Sequence, residues 1–392
     1  MRKNFLIPVT TLLLCLIVSC AKDDERPLPD SPDIPMQAAY IADSTYNAAS
    51  QMTVYNIVYP STDPYGNPVM LSGTITFGNN VKQSRHAKGM LLYNHFTIYR
   101  ADQCPTKGSL AEQQYTSRLD LFTVSPDYYG FGITENHHQA YCLSRTNAQA
   151  SVDALLAARE ILASKGYSFG DILLNAGYSQ GGQTSMGVVR LIAEKYPDLH
   201  LTYTFAGAGS YDLPETYRQF ITAQVAGMPS TVISVLLSYN EFYQMGVPRD
   251  KMFIEPVLSH IDEWILSKRY TRVEIDNLVG TLAIDHYLSP TLLDTNSTLS
   301  HQLFSTLDQD NICKGWNPSH SAHILLFHNN DDITVPPSNT VNMYNFLVNG
   351  GAQDVVLDTA SLGSGVSGEP AHEHGALTFL SHALSRVNQI LQ

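Results

Sequence analysis

Ile172-Leu-Leu-Asn-Ala-Gly-Tyr-Ser-Gln-Gly-Gly182 runs from a short apolar segment straight into a helical pattern over residues 180–195. Its centre, Gly177-Tyr178-Ser179-Gln180-Gly181, is a G-x-S-x-G pattern placed between a strand and a helix, the context of a nucleophile elbow. Such a turn is too tight for a Cβ at either glycine. The backbone strain at the central position lifts the Ser179 hydroxyl above the sheet. The helix that follows aims its N-terminal dipole, with the Gln180 N–H, at any negative charge developing beside Ser179.

Outward from this turn the chain alternates. Residues 52–59 and 69–77 are rich in β-branched and aromatic residues and flank a turn-dense connector, Pro60 to Pro68, which predicts a hairpin. Apolar runs at 89–94, 121–127, 172–176, 201–206, 323–328 and 355–357 suit buried strands. Helical periodicity covers 148–165, 180–195 and 376–391. This order predicts an α/β fold with a mostly parallel central sheet and helices on both faces. From about 213 to 312 the pattern turns helical throughout (217–225, 231–243, 256–267, 273–282), which reads as a cap inserted into the sheet domain.

Composition narrows the function classes. With 44% hydrophobic residues and 25 Gly among 392, the chain is a globular protein with ample core. Lys and Arg total 23 against 36 Asp and Glu, a formal charge of −13, which argues against nucleic acid as a partner. Arg2 and Lys3 followed by the apolar stretch 5–18 make a secretory signal too short to span a bilayer. The stretch ends in Ile17-Val18-Ser19-Cys20, which resembles a bacterial lipobox and implies lipid attachment at Cys20. Ala21-Lys-Asp-Asp-Glu25 looks like the acidic export signal of Bacteroidetes surface lipoproteins, so an outer-membrane, cell-surface lipoprotein is expected. The prolines at 27, 29, 32 and 35 read as a stiff spacer. The expected organisation is a signal peptide at 1–19, a lipid-anchored tether at 20–39, a core at 40–212 and 313–392, and the cap at 213–312. The mature chain keeps Cys104, Cys142 and Cys313, of which Cys104 and Cys142 are the expected pair if one bridge forms.

A serine nucleophile needs a base and an orienting acid. The segment His323-Ile-Leu-Leu-Phe-His328 runs into Asn329-Asn-Asp331-Asp332-Ile-Thr-Val-Pro336, which offers Asp332, with Asp331 as its competitor. Near the C-terminus Pro370-Ala-His372-Glu-His374-Gly-Ala offers His372, with His374 as the alternative, in a loop expected just before the last helix. A metal reading of His-Glu-His lacks a second cluster at ligand spacing, so neither metal nor cofactor is expected.

Together these residues resemble the α/β-hydrolase superfamily and, within it, the bacterial secretory lipases and esterases, over about residues 52–390. Asp332 fits that family's D-x-x-V-P pattern and His372 its H-x-x-G-A, while Ser125-Pro-Asp-Tyr-Tyr-Gly-Phe-Gly132 is similar to its strand-4 segment. The resemblance implies a carboxylic-ester hydrolase acting through an acyl-enzyme on a Ser179-His372-Asp332 triad, without cofactor. The family's oxyanion loop usually reads His-Gly, whereas here it is Asn94-His95-Phe96-Thr97. The second oxyanion donor beside Gln180 would then be the N–H of Thr97 or Phe96. The expected partner is a small-molecule, acylated-glycan or lipid ester, with membrane contact only through the anchor. Two alternatives stand beside this reading. One is a cell-surface serine peptidase using an acidic cap cluster (Glu241, Glu255, Asp262, Glu263) to hold an amine; the other is a non-catalytic binding lipoprotein.

Overall fold

The structure, a computed structural model, describes residues 36–108, 115–365 and 370–392; the signal peptide, Cys20 and most of the expected tether lie outside them. Its strands are β1 (Tyr40–Asn47), β2 (Met52–Thr62), β3 (Pro68–Gly78), β4 (His86–Asn94), β5 (Leu121–Pro126), β6 (Ser168–Tyr178), β7 (Tyr203–Gly207), β8 (Ala322–Asn329) and β9 (Gln353–Ala360). They form a nine-stranded sheet in the order β1-β2-β3-β5-β4-β6-β7-β8-β9. β1, β2 and β3 are antiparallel neighbours and β3 meets β5 antiparallel; from β5 onward every pairing is parallel.

Among the described residues, the helices longer than six residues are α1 (Ser144–Ser164), α2 (Gln180–Lys195), α3 (Leu213–Ala223), α4 (Pro229–Phe242), α5 (Arg272–Val279), α6 (Thr298–Leu307), α7 (Ser338–Asn349) and α8 (Ala371–Ile390). The two-residue period of a strand sends alternate side chains to opposite faces. Leu91, Tyr93, Leu174, Phe205 and Phe327 therefore pack with Phe379, Ala383 and Val387 of α8. On the other face, Ala206, Ile324 and Leu326 meet Met186 and Val189 of α2 and Met343 and Leu347 of α7. Parallel strands covered on both sides in this way carry nearly continuous apolar sequence, as β6 does.

Residues 213–312 enter between β7 and β8 and carry α3 to α6 with shorter helical turns. Tyr217, Val232, Leu236, Ile275 and Leu307 from this segment share one buried cluster with Leu92 and Val124 of the sheet and Leu155 of α1. Lys268 holds the segment down at another point. Its ammonium donates to the carbonyls of Glu135 (2.6 Å), His137 (2.5 Å) and Gly130 on the loop after β5, over the Phe131 ring. Among the described residues, no helix is long and apolar enough to cross a membrane.

Two expectations are corrected. Cys104 and Cys142 are not bridged, and all three thiols are free. Cys104 instead sits near the Ala101 carbonyl in a small apolar cluster with Ile98 and Phe131, and burial pushes its thiol up to about 11. The last helix also begins five residues earlier than its apolar period suggests. Pro370, which is compatible with the start of a helix but not with its interior, sets the boundary, and Glu373 favours the first turn by facing the positive end of the dipole. His372 and His374 are therefore helical residues, not loop residues.

Candidate active site

The turn after β6 is held by close backbone approach. A Cβ on Gly177 or Gly181 would be driven into the Asn94 carbonyl, and one on Gly182 into that of Gly207. Ser179 takes φ 57° and ψ −121°, a conformation that an L residue holds only under constraint. Its N–H donates to Gly207 O (2.8 Å), and its carbonyl accepts from Gln183 N (3.0 Å). Gln180 is the first residue of α2, so its N–H has no acceptor within the helix.

The Ser179 hydroxyl lies 2.9 Å from His372 Nε2, and His372 Nδ1 lies 2.6 Å from Asp332 Oδ2. A carboxylate at Nδ1 fixes the proton there, which leaves Nε2 free to accept from Ser179. Asp332 is fully enclosed. Its Oδ1 accepts from Thr334 N (2.8 Å) and Val335 N (3.0 Å), and Oδ2 also lies 3.3 Å from His328 Nε2. Burial alone would raise the Asp332 carboxyl, but the His372 and His328 rings outweigh it and hold the carboxyl well below the usual carboxylate range. Burial likewise works against a charged His372, yet the adjoining Asp332 carboxylate wins and raises the imidazole above 6.5.

The competing residues lie elsewhere. Asp331 accepts from Gly363 N (2.7 Å), and His374 Nδ1 lies 3.2 Å from Gly363 O. The four acids considered for amine binding do not line the cleft beside Ser179. Glu241 accepts from Tyr65, Glu255 from Ser259, and Glu263 from Tyr270, while Asp262 pairs with Arg249.

The loop after β4 is braced from below. Asn94, fully buried, donates to Asn175 and Ser185 (2.9 Å each) and accepts from Ser151 (2.8 Å), which ties β4, β6, α1 and α2 together. His95 stacks on Tyr128 (4.2 Å), with Nδ1 2.7 Å from Phe96 O and Nε2 3.3 Å from Asp127 O. Burial lowers its imidazole below 6.5 despite these carbonyls. Phe96 and Thr97 face the cleft at Ser179, and Thr97 Oγ1 bonds the Tyr141 hydroxyl (2.9 Å).

Several neighbours of the site carry no motif. The Tyr178 hydroxyl donates to the His372 carbonyl (2.7 Å), and its ring packs 5.2 Å from the imidazole. His328 accepts from Thr340 at Nδ1 (2.6 Å) and donates from Nε2 to Val335 O (2.8 Å), which sets its tautomer. Arg272 of α5 pairs with Glu373, the residue after His372 (2.6 Å). A tyrosine in a variable motif position and a histidine inside a strand announce nothing in sequence; only their register facing the imidazole and Asp332 gives them a role.

The family model of the secretory lipases matches residues 119–388. Among solved structures, the fold is similar to the rice cell wall degrading esterase LipA from Xanthomonas oryzae (20% identity, 90% of this chain and 97% of that one, TM-score 0.74). A hydrolase from Legionella pneumophila aligns equally well (19% identity, 90% and 97%, TM-score 0.74). Candida antarctica lipase A in its closed state aligns less tightly (11% identity, 83% and 76%, TM-score 0.63). No curated protein sequence matches the chain. At these identities the structural likenesses establish an α/β-hydrolase fold.

The electrostatics of the histidine can be read directly. Because the folded pKa of His372 lies above its unfolded value, the stabilisation from its pairing is complete below about pH 6.5 and is lost as pH rises through the folded value. In a histidine-selective NMR titration, His372 is expected to titrate above 6.5, and Asp332→Asn to move its midpoint down. A midpoint unmoved by Asp332→Asn would mean that the carboxylate is not what raises it.

Proposed function

Since the chain belongs to the secretory lipase family and is a carboxylic-ester hydrolase, we propose that it cleaves esters through an acyl-enzyme on Ser179, with His372 as base and Asp332 as orienting acid. The observation that carries this reading is the unbroken chain Ser179 Oγ–His372 Nε2, His372 Nδ1–Asp332 Oδ2 at 2.9 and 2.6 Å. Ser179 attacks the ester carbonyl while His372 takes its proton. Asp332 stays ionised, holds the tautomer and stabilises the imidazolium. The carbonyl oxygen, now negative, is met by the Gln180 N–H and by the N–H of Phe96 or Thr97. Collapse of the adduct expels the alkoxide, which His372 protonates. Water then enters, gives its proton to His372, and releases the acid and Ser179.

Ser179→Ala is expected to lower turnover of an activated ester by about 10⁵–10⁶-fold with unchanged circular dichroism. Only neutral His372 can accept the proton, so kcat/KM should fall as pH drops through a value above 6.5. Retained turnover in a folded Ser179→Ala protein would overturn the assignment.

We also propose that the mature chain starts at a lipidated Cys20 and is held at the outer membrane, exposed on the cell surface. The supporting features are Ile17-Val-Ser-Cys20, the acidic Asp23-Asp-Glu25 and the proline spacer. Mass spectrometry of the membrane-extracted protein should find an N-terminal peptide beginning at a diacylglyceryl Cys20. An N-terminus elsewhere, or membrane retention of Cys20→Ser, would contradict the anchor.

A further inference from the structure

Ser179 opens onto two spaces of very different size. Below the cap, Gln180 with Tyr217, Val232, Val235 and Val335 encloses a pocket of about 30 Å³. On the other side, a cleft of about 380 Å³ is walled by Phe96, Met228, Leu377 and Leu380. His372 lines the cleft and not the pocket.

We propose that this esterase is selective for short acyl groups, about acetyl in size, carried on large apolar alcohols. This rests on the reading of Ser179 and His372 given above. The tetrahedral carbon on Ser179 carries an oxyanion, the acyl chain and the alkoxy oxygen. The last must reach His372 Nε2 to receive its proton, so the alcohol lies in the cleft that His372 lines. The oxyanion sits between the Gln180 N–H and the loop of Phe96 and Thr97. The acyl chain is left with the pocket.

A pocket of about 30 Å³ holds roughly two waters, room for a methyl group with one water beside it but not for a longer chain. It cannot widen cheaply. The Tyr217 hydroxyl donates to Val232 O (2.9 Å), tying α3 to α4 across the pocket, and all three valines and the tyrosine are buried. The side-chain amide of Gln180, buried at the pocket, has no partner for its oxygen or its nitrogen among the described residues. An alkyl chain there would leave a donor and an acceptor unsatisfied, whereas a small acyl group leaves space for a water. The cleft is the opposite case. Its lining is mostly apolar, with Gln103, Thr271 and the paired Arg272 and Glu373 also on the wall, and its rim keeps Val273 and Leu377 exposed at 51% and 61%, an apolar margin suited to a greasy leaving group.

Two substrate series on the mature domain separate the two sides, with Ser179→Ala as the blank. Along p-nitrophenyl acetate, butyrate and octanoate, kcat/KM is expected to drop about tenfold at butyrate and a hundredfold or more at octanoate. Along ethyl acetate and 2-(naphthyl)ethyl acetate, which share the acyl group and an alkyl leaving oxygen, it is expected to rise about tenfold for the larger alcohol. Val235→Ala should raise the butyrate-to-acetate ratio about tenfold, and the wild-type series stands without this variant if it fails to fold. Octanoate turned over as fast as acetate, or a ratio unmoved in folded Val235→Ala, would overturn the pocket assignment and leave the triad standing. Absence of Ser179-dependent turnover on every ester would overturn both.

Discussion

The Asn94 carbonyl is the point against which the turn at Ser179 is pressed. Gly181 comes so close to it that it cannot carry a side chain, Gly177 is blocked first by the Gly181 carbonyl and then by that of Asn94, and Gly182 is blocked by the Gly207 carbonyl. This contact forces α2 to start directly at the end of β6 and keeps Ser179 at φ 57°. The strain costs of order 1–3 kcal/mol and persists because the surroundings over-determine it. Asn94 itself is fixed by three side-chain bonds to Asn175, Ser185 and Ser151, so the same residue supports the elbow and starts the loop carrying Phe96 and Thr97. The Ser179 turn and the loop of Phe96 and Thr97 therefore share one support.

A second support reaches the imidazole from three directions. Tyr178 bonds the His372 carbonyl from the elbow side, Asp332 bonds Nδ1, and Arg272 of α5 pairs with Glu373 one residue on. Asp332 in turn is gripped by two backbone amides and by His328, so no lone rotamer of the acid is open. Enclosed polar groups of this kind are worth having only when each is partnered, and both oxygens of Asp332 and both ring nitrogens of His372 have partners here. The helix carrying His372 is thereby referenced both to the sheet and to α5.

How much of this could be read beforehand differs by element. The elbow was legible because three glycines around a serine, between an apolar run and a helical period, have few other physical explanations. The parallel strands were legible as short apolar runs. β1 was not, since Tyr40 to Asn47 is an edge strand that is mostly exposed and shows no apolar alternation. α7 was missed because its buried residues include Asn339 and Thr340, which do not register as an apolar face. The apolar period of α8 begins only after His372 and so points to a loop there, while the helix itself starts at Ala371, capped by Pro370, on backbone grounds. Asp331 and Asp332 stand side by side in sequence and differ only in where the turn points them. Tyr178 and His328 depend on contacts 194 and 4 residues away, invisible without the fold.

The two sides of Ser179 join these supports to selectivity. The side facing α3 and α4 is a small pocket, and the side facing α8 is a wide, mostly apolar cleft. Everything nevertheless depends on Ser179 being the activated hydroxyl. The most direct test is to react the folded mature domain with a fluorophosphonate and map the adduct by peptide mass spectrometry. The account predicts stoichiometric modification confined to Ser179 and abolished in His372→Ala. Modification at another serine, or none in a folded protein, would contradict it.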